Sequence, residues 1–228
     1  MTYAKVLGVI AVLGFATTSA FAQDAEPKMC VLAGIETIVA NDFICPGTVA
    51  AELRKMVIEK QRPKIDTETG QVMLDAETGL PVMETYEESY RKMVTYARQA
   101  GLGDAFAGGE FPHLHNGYME NNIVTIFAIE DSLLQSRVDA LLDTAEQSAA
   151  EPLSDEDRQR LVYQVVGSQI ATRPYYKSDM WNGQRDFRNL GGGLIQTNFL
   201  TESGDEANGL KFQQYDIIAS NGVIHLLK

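Results

Sequence analysis

Hydrophobic and polar positions divide the chain into an apolar leader, a helical middle and a strand-rich end. Val6–Phe15 is an unbroken apolar run close to the start. Between residues 85 and 167 apolar residues recur at helical spacing, and from 168 onward they form short runs separated by glycine-containing turns. Helices first and strands later predict an α+β fold.

Three helices are predicted in the middle region, and two of them carry start or stop signals. Thr85-x-x-Glu88 has the form of a capping box, and the apolar stripe that follows it ends at Gly101. A second helix is indicated around Val138–Ala145, and Ser154 with its acidic followers opens a third. An earlier helix is predicted over Thr48–Lys60, where Pro63 would stop it.

Four apolar runs predict strands. They are Ile123–Ala128, Leu194–Leu200, Leu210–Tyr215 and Gly222–Leu227. Asn221-Gly222 lies between the last two runs, and both residues tolerate a positive φ. The sequence therefore predicts a closing hairpin with its turn at Asn221-Gly222.

A short internal echo occupies residues 66–79. Asp66–Gly70 and Asp75–Gly79 share an acidic start, a threonine and a closing glycine. This composition predicts β-turns between short strands. A calcium loop is the alternative, but such loops use a denser alternation of acidic ligands with a closing glutamate.

The first 22 residues have the form of a secretory signal. Lys5 precedes the apolar run, and the sequence Ala-Phe-Ala at 20–22 suits a cleavage site. The run is too short for a membrane-spanning helix, which needs about 20 apolar residues. We expect a secreted or periplasmic product with no membrane span in the mature chain.

The two cysteines are interpreted in the light of export. In an oxidising compartment Cys30 and Cys45 are expected to form a structural disulfide. A redox pair or a metal site remains the alternative, although neither CxxC spacing nor a nearby histidine supports it.

Charge narrows the range of partners. The chain of 228 residues has a net charge of −12, and 45% of its residues are hydrophobic. The hydrophobic share is typical of a globular protein. Nucleic-acid binding is disfavoured because it requires a positive surface that displaces counterions.

Motifs for catalysis are sparse. The sequence has no phosphate loop, no Gly-x-Ser-x-Gly elbow and no His-Glu-x-x-His zinc motif. His113 and His115 would face the same side of an extended segment and could share a metal with a carboxylate. The alternative is a polar surface insertion. No cofactor is predicted.

An aromatic and partly basic stretch follows the helical region. Arg173-Pro174-Tyr175-Tyr176 and Met180-Trp181 combine the residue types that are enriched at binding hot spots. Tyr175, Tyr176 and Trp181 are therefore candidate contact residues, or else loop residues that pack on the domain.

Residues 85–228 resemble a fasciclin domain. Residues 215–225 read YDIIASNGVIH and are similar to the second fasciclin box, D-I-x-A-S-N-G-V-I-H-V. Residues 125–134 resemble the first box more loosely, with Ile129 and Glu130 where that box usually has Pro-Thr. Ala100–Leu102 and Leu161–Val166 resemble two further family segments, with Gln164 in place of a histidine.

The resemblance implies a wedge of β-strands with helices packed on one side, here preceded by an extension. The expected organisation is a signal peptide at 1–22, an N-terminal extension at 23–84 and a fasciclin-like domain at 85–228. The box positions are the implied binding residues. They are Thr125, Phe127, Asp131, Tyr163, Asp216, Asn221 and His225.

The family also implies a function. Fasciclin domains, including those of secreted bacterial proteins, are non-enzymatic modules for adhesion and protein contacts, so the expected partner is a protein or a component of a cell surface or matrix. The alternative is a carrier of a small apolar ligand such as a carotenoid or lipid. A metal-dependent enzyme built on His113 and His115 is a third hypothesis.

Overall fold

A computed structural model describes residues 28–33, 35–39, 45–108, 123–181, 183–199 and 204–228. The strands are β1 Lys28–Leu32, β2 Ile35–Val39, β3 Val57–Pro63, β4 Met83–Ser89, β5 Val124–Ile129, β6 Ile170–Ala171, β7 Gln184–Arg188, β8 Leu194–Asn198, β9 Glu206–Ala207, β10 Leu210–Ala219 and β11 Gly222–Leu227. The helices are α1 Val49–Lys55, α2 Arg91–Gln99, α3 Gly103–Phe106, α4 Asp131–Ser148, α5 Asp155–Gly167 and α6 Lys177–Met180. The predicted α+β class is confirmed.

A seven-stranded mixed sheet forms the centre of the fold. Its strand order is β6-β5-β11-β10-β9-β8-β7, and β11 runs parallel to β5 while the other neighbours are antiparallel. The two edges approach each other, because Asn189 beyond β7 forms a bridge with Ala171 in β6. Helix α2 packs against α1, α4 and α5 beside this sheet.

The parallel pair β5–β11 is the most deeply buried part of the sheet. All six residues of each strand are buried, as expected where both faces are covered. Gly222 lies opposite Val124 at the start of this pair. A Cβ on Gly222 would come within 2.6 Å of the Val124 carbonyl oxygen, so only glycine allows this approach.

The closing hairpin forms as predicted, but its turn differs in detail. Ala219 pairs with Gly222, so Ser220 and Asn221 are the two turn residues. Neither Asn221 nor Gly222 has a positive φ, and that part of the prediction is wrong. Asn221 Oδ1 instead accepts a hydrogen bond from the Val49 amide, 2.8 Å away, which fixes the turn on the start of α1.

Helix α1 is shorter than predicted. It ends at Lys55, and Val57–Pro63 continues as strand β3 instead of completing the predicted helix over Thr48–Lys60. The β-branched pair Val57-Ile58 suits the strand, which is paired with β4 along its whole length. Val49 and Leu53 are fully buried in the common core, although both precede the predicted domain start at 85. That boundary stays a prediction.

The capping box predicted at Thr85-x-x-Glu88 is wrong. Thr85 and Glu88 both lie in strand β4, and helix α2 begins only at Arg91. The backbone amides of Arg91 and Lys92 donate to the carboxylate of Asp131, at 3.2 and 2.7 Å. The cap of α2 therefore comes from a residue about 40 positions away, which no local pattern indicates.

Glu88 nevertheless caps a helix. Its carboxylate accepts hydrogen bonds from the amide and the hydroxyl of Ser132, at 3.1 and 2.8 Å, in the first turn of α4. Ser89 donates its hydroxyl to Asp131. Glu88 at the end of β4 thus caps α4, and Asp131 at the start of α4 caps α2, the helix that follows β4.

Other local signals are confirmed. The Ser154 hydroxyl accepts from the Asp157 amide at the start of α5, and Gly101 takes a positive φ after α2. Helix α4 covers the predicted Val138–Ala145, and turns occur at both repeats of the 66–79 echo. In the central sheet, strands β6, β7 and β9 were not predicted, since they are short or largely polar. Strands β1, β2 and β4 were not predicted either.

The predicted disulfide joins Cys30 and Cys45, with their Cα atoms 5.4 Å apart. It connects β1 to the segment that leads into α1. The predicted signal at 1–22 lies outside the described residues. No helix in the part of the chain that the structure describes is long and apolar enough to cross a membrane.

Replacement of Gly222 by alanine should destabilise the protein. The added methyl group would meet backbone at Val124 and the Val49 side chain, so we expect a loss of about 2–3 kcal/mol in the free energy of unfolding. Urea denaturation measures it. Gly193→Ala is the control, because its Cβ would make only ordinary contacts with Asn189. Equal stability of the two variants would contradict the close-approach argument.

Candidate interaction surface

The structure brings the two box segments together as neighbouring strands. Strand β5 carries the first box and strand β11 ends the second, and Phe127 lies opposite His225 in their register. The Phe127 ring is fully buried and its centroid is 5.2 Å from that of His225. Phe127 is therefore a core residue.

Thr125 uses its hydroxyl twice. The hydroxyl donates to the Arg173 carbonyl and accepts from the Tyr175 amide, each at 2.7 Å. The Thr125 side chain is fully buried, so neither hydrogen bond competes with water. The backbone from Arg173 to Tyr175 is thereby fixed to strand β5.

His225 holds the same segment from the other strand. Its Nε2 lies 2.9 Å from the Tyr175 carbonyl oxygen, and its Nδ1 lies 3.2 Å from the Asp216 amide. These partners define a neutral imidazole in which Nε2–H donates and Nδ1 accepts. Burial lowers the pKa of His225, against smaller opposite effects from the Tyr175 hydrogen bond and the Asp216 charge.

Asp216 supplies the third contact. It lies at an irregularity of strand β10, with φ of +53°, and its Oδ1 accepts from the Lys177 amide at 2.8 Å. The carboxylate therefore binds a segment 39 positions away in the chain. Asp216, Thr125 and His225 together fix the backbone of residues 173–177, here called the clamped segment.

The clamped segment presents aromatic and basic side chains at the surface. The Tyr175 ring packs on that of Phe187, with centroids 4.1 Å apart. The Lys177 ammonium lies 4.1 Å from the ring centre of Tyr215 and 5.0 Å from that of Trp181. Trp181 is 46% exposed. Such cation–π pairs orient the lysine without neutralising it.

Two arginines border an open depression beside these rings. Arg173 and Arg185 line it together with Tyr175 and Phe187, and its volume is about 520 Å³. Neither guanidinium has an ion-pair partner among the residues that the structure describes. Asp179 also lines the depression, so two arginines against one aspartate leave it locally positive on a chain of net charge −12.

Tyr176 and Tyr215 complete the surrounding aromatic group. The Tyr215 hydroxyl donates to Asp205 Oδ2 at 2.7 Å, and burial together with that carboxylate raises the pKa of Tyr215. Burial also raises the pKa of Tyr176, with a smaller contribution from the Asp216 charge. Both rings remain neutral, hydrogen-bonding groups at physiological pH.

The other implied binding residues have structural contacts elsewhere. Asp131 caps α2, and Asn221 holds the hairpin turn on α1. Tyr163 is half-buried on α5 and donates its hydroxyl to the Leu190 carbonyl at 3.3 Å. Burial raises the pKa of Tyr163. These hydrogen bonds serve the starts of α1 and α2 and the turn after β7.

The metal hypothesis lies outside what the structure describes. His113 and His115 fall between the described residues 108 and 123. Among the described residues, no group of three or more histidine, cysteine, aspartate or glutamate side chains could hold a metal ion.

Sequence reasoning missed three members of the surface. Lys177, Arg185 and Phe187 contribute a cation–π contact, a charge and a ring. Lys177 directly follows the aromatic and basic stretch Arg173–Tyr176, and extending that stretch by one residue would have included it. Arg185 and Phe187 lie on β7, whose polar sequence Gln-Arg-Asp-Phe-Arg gave no strand signal.

The chain was compared with known proteins. No family model matches it, and no curated protein matches it. Sixteen chains of solved structures match, among them a FAS1 domain pair from the insect cell adhesion molecule fasciclin I. That structure has 13% identity and a TM-score of 0.39, and the match covers 68% of this chain and 56% of that one. The chain thus spans little more than half the length of that structure.

Removal of the Thr125 hydroxyl should weaken the fold. Thr125→Val leaves the Arg173 carbonyl and the Tyr175 amide without their buried partner, so we expect a loss of about 2–3 kcal/mol in unfolding free energy. Thr125→Ser keeps the hydroxyl and is the matched control. Urea denaturation of both variants measures the difference, and a valine variant as stable as the serine variant would contradict the hydrogen-bonding role.

His225 should make the protein less stable in mild acid. Its folded pKa lies below the ordinary value of 6.5, so the unfolded chain takes up a proton as the pH falls past about 6.5 while the folded chain resists it. The free energy of unfolding should therefore fall from pH 7 to pH 5, by at most about 1.4 kcal/mol per pH unit from this group. His225→Gln should flatten that part of the profile in urea denaturation. An unchanged slope would exclude His225 as its source.

Proposed function

We propose that this protein is a non-enzymatic interaction module with a fasciclin-like domain. Its binding surface consists of the clamped segment together with Trp181, Arg185 and Tyr215. The partner is a protein or a component of a cell surface or matrix, met outside the cytoplasm. The extension at 23–84 and the wedge-like domain at 85–228 are part of the same proposal.

The observation that carries the proposal is that three box residues hold one surface segment in place. Thr125, Asp216 and His225 direct their polar atoms at the backbone of residues 173–177. Both imidazole nitrogens of His225 are occupied, so the ring has no free position for proton transfer to a substrate. These residues act as a scaffold for a surface segment, which is the arrangement that a binding module needs.

The composition of the surface also supports binding. Tryptophan, tyrosine and arginine are the residue types that dominate interface hot spots. Here Arg173 and Tyr175 belong to the clamped segment, whose backbone is fixed before any partner arrives, and Trp181 follows at the end of α6. A fixed segment loses little conformational entropy on binding, which favours affinity.

Export is inferred from the start of the chain and from the cysteines. The basic residue, apolar run and small-residue site in 1–22 have the form of a secretory signal. The Cys30–Cys45 disulfide is of the kind that persists in oxidising compartments. Both observations support a secreted or periplasmic location.

Cross-linking on the producing cells tests the proposal, with Trp181→Ala as the variant. Loss of a central tryptophan should reduce recovery of a specific cross-linked partner about tenfold or more. Leu194→Ala is the matched control, since Leu194 is 50% exposed but faces away from Phe187 and Ile195 on the β7–β8 ribbon.

The proposal is tested by comparing how much partner the two variants recover. The Leu194 variant should recover the partner as the unmodified protein does. Equal recovery by the Trp181 variant, or no partner enriched above a chain of scrambled sequence, would overturn the proposed surface.

A further inference from the structure

Residues 63–83 form a small cloverleaf at the end of the β3–β4 ribbon. Asp66–Gly70 and Asp75–Gly79 are equivalent turns nine residues apart. In each turn the aspartate accepts hydrogen bonds from the amides two and three residues later, at 2.8 to 3.1 Å. Gly70 and Gly79 close the turns with φ of +70° and +68°.

Three backbone hydrogen bonds close the centre of the cloverleaf. Lys64 donates to the Val82 carbonyl, Val82 to that of Met73, and Met73 to that of Lys64, at 2.8, 2.9 and 2.8 Å. These residues are also nine positions apart. The ring of hydrogen bonds holds the two turns and the ribbon as three lobes around one point.

One face of the cloverleaf is entirely apolar. Pro63 pairs with Met83, Ile65 with Val72, and Leu74 with Pro81. Paired residues, and residues two apart in a strand, share a face, so these six side chains all project from the same side.

None of the six is covered by another described part of the chain. Ile65 is 54% exposed, Leu74 60% and Met83 50%, and the other three are exposed as well. Single exposed apolar residues are normal, but a contiguous apolar face bordered by polar residues marks an interaction site.

The charged residues around this apolar face indicate what kind of partner can bind it. Asp66, Glu68, Asp75 and Glu77 lie in the two turns that border it. Backbone hydrogen bonds from Thr69 and Thr78 hold the pKa of the two aspartates below their usual range. Lys64 is the one basic residue in the sequence 63–83, and it alternates onto the opposite face.

The acidic turns beside the apolar face disfavour both a second copy of the chain and an anionic lipid surface as the binding partner. A second copy seated face to face would bring acidic turns against acidic turns. An anionic lipid surface would be repelled for the same reason. A partner with basic residues beside its apolar ones meets both requirements.

We propose that the apolar face of the cloverleaf is a docking site for a basic amphipathic segment of a partner protein. The partner's apolar side chains cover Ile65, Leu74 and Met83, and its lysines or arginines face the acidic turns. The site shares no residue with the surface around Trp181, so each can be tested without the other.

Binding of synthetic peptides to the full chain tests the docking site. The probe is an amphipathic peptide of leucine and lysine at helical spacing, and its twin has glutamate in place of lysine. Leu74→Gln is the test variant. Leu194→Gln is the control, since this leucine is similarly exposed but lies on strand β8.

We expect the lysine peptide to bind, with affinity that falls as salt rises, and the glutamate twin not to bind. Leu74→Gln should weaken binding about tenfold, while Leu194→Gln leaves it unchanged and both variants keep the melting temperature of the unmodified chain.

Each remaining outcome overturns the proposal. Equal binding by both variants would mean that the net charge of the chain attracts the peptide without a site. Absence of binding would exclude a basic amphipathic occupant. Concentration-dependent self-association abolished by Leu74→Gln would assign the face to a second copy, and binding to phosphatidylcholine vesicles would assign it to lipid.

Discussion

The parallel pairing of β5 with β11 is the constraint on which the rest of the structure depends. It joins residues about 100 positions apart, and it exists only because Gly222 allows the backbone to approach Val124. Parallel strands buried on both faces must satisfy every backbone group within the sheet. Once the pair forms, Thr125 and His225 lie on neighbouring strands and reach the same stretch of backbone at 173–175.

A second constraint couples the helices to the β3–β4 ribbon. Glu88 and Asp131 are both buried, and a buried carboxylate is costly unless hydrogen bonds compensate it. Asp131 accepts from an amide at the start of α2, and Glu88 accepts from the Ser132 hydroxyl at the start of α4. These hydrogen bonds fix the start of α2 and the start of α4 relative to each other. Neither helix therefore needs a capping side chain at its own N-cap residue.

Sequence patterns predicted the features that depend on neighbours in the chain. The apolar runs at Ile123–Ala128 and Gly222–Leu227 became β5 and β11, and Ser154 caps α5, because period and capping chemistry are local. The failures share a cause. Thr85-x-x-Glu88 has the right spacing for a capping box, yet Glu88 binds Ser132, some 40 residues away.

The same distinction applies to the candidate surface. Tyr175, Tyr176 and Trp181 were identified because aromatic and basic residues cluster in the sequence. That Thr125, Asp216 and His225 support that cluster could not be derived, since the contacts span about 40 to 50 positions. The binding role of the box positions stays a prediction, and in the structure three of them hold the backbone of the clamped segment, which only the paired strands make visible.

Glu130 connects the core to the cloverleaf. It lies between β5 and α4, and its carboxylate forms an ion pair with Lys60 on β3. Glu130 is buried, so it requires a compensating cation, and Lys60 is available only because the β3–β4 ribbon passes beside the start of α4. The buried carboxylate and the ribbon therefore depend on each other, and the ion pair helps to hold the ribbon that carries the cloverleaf against the start of α4.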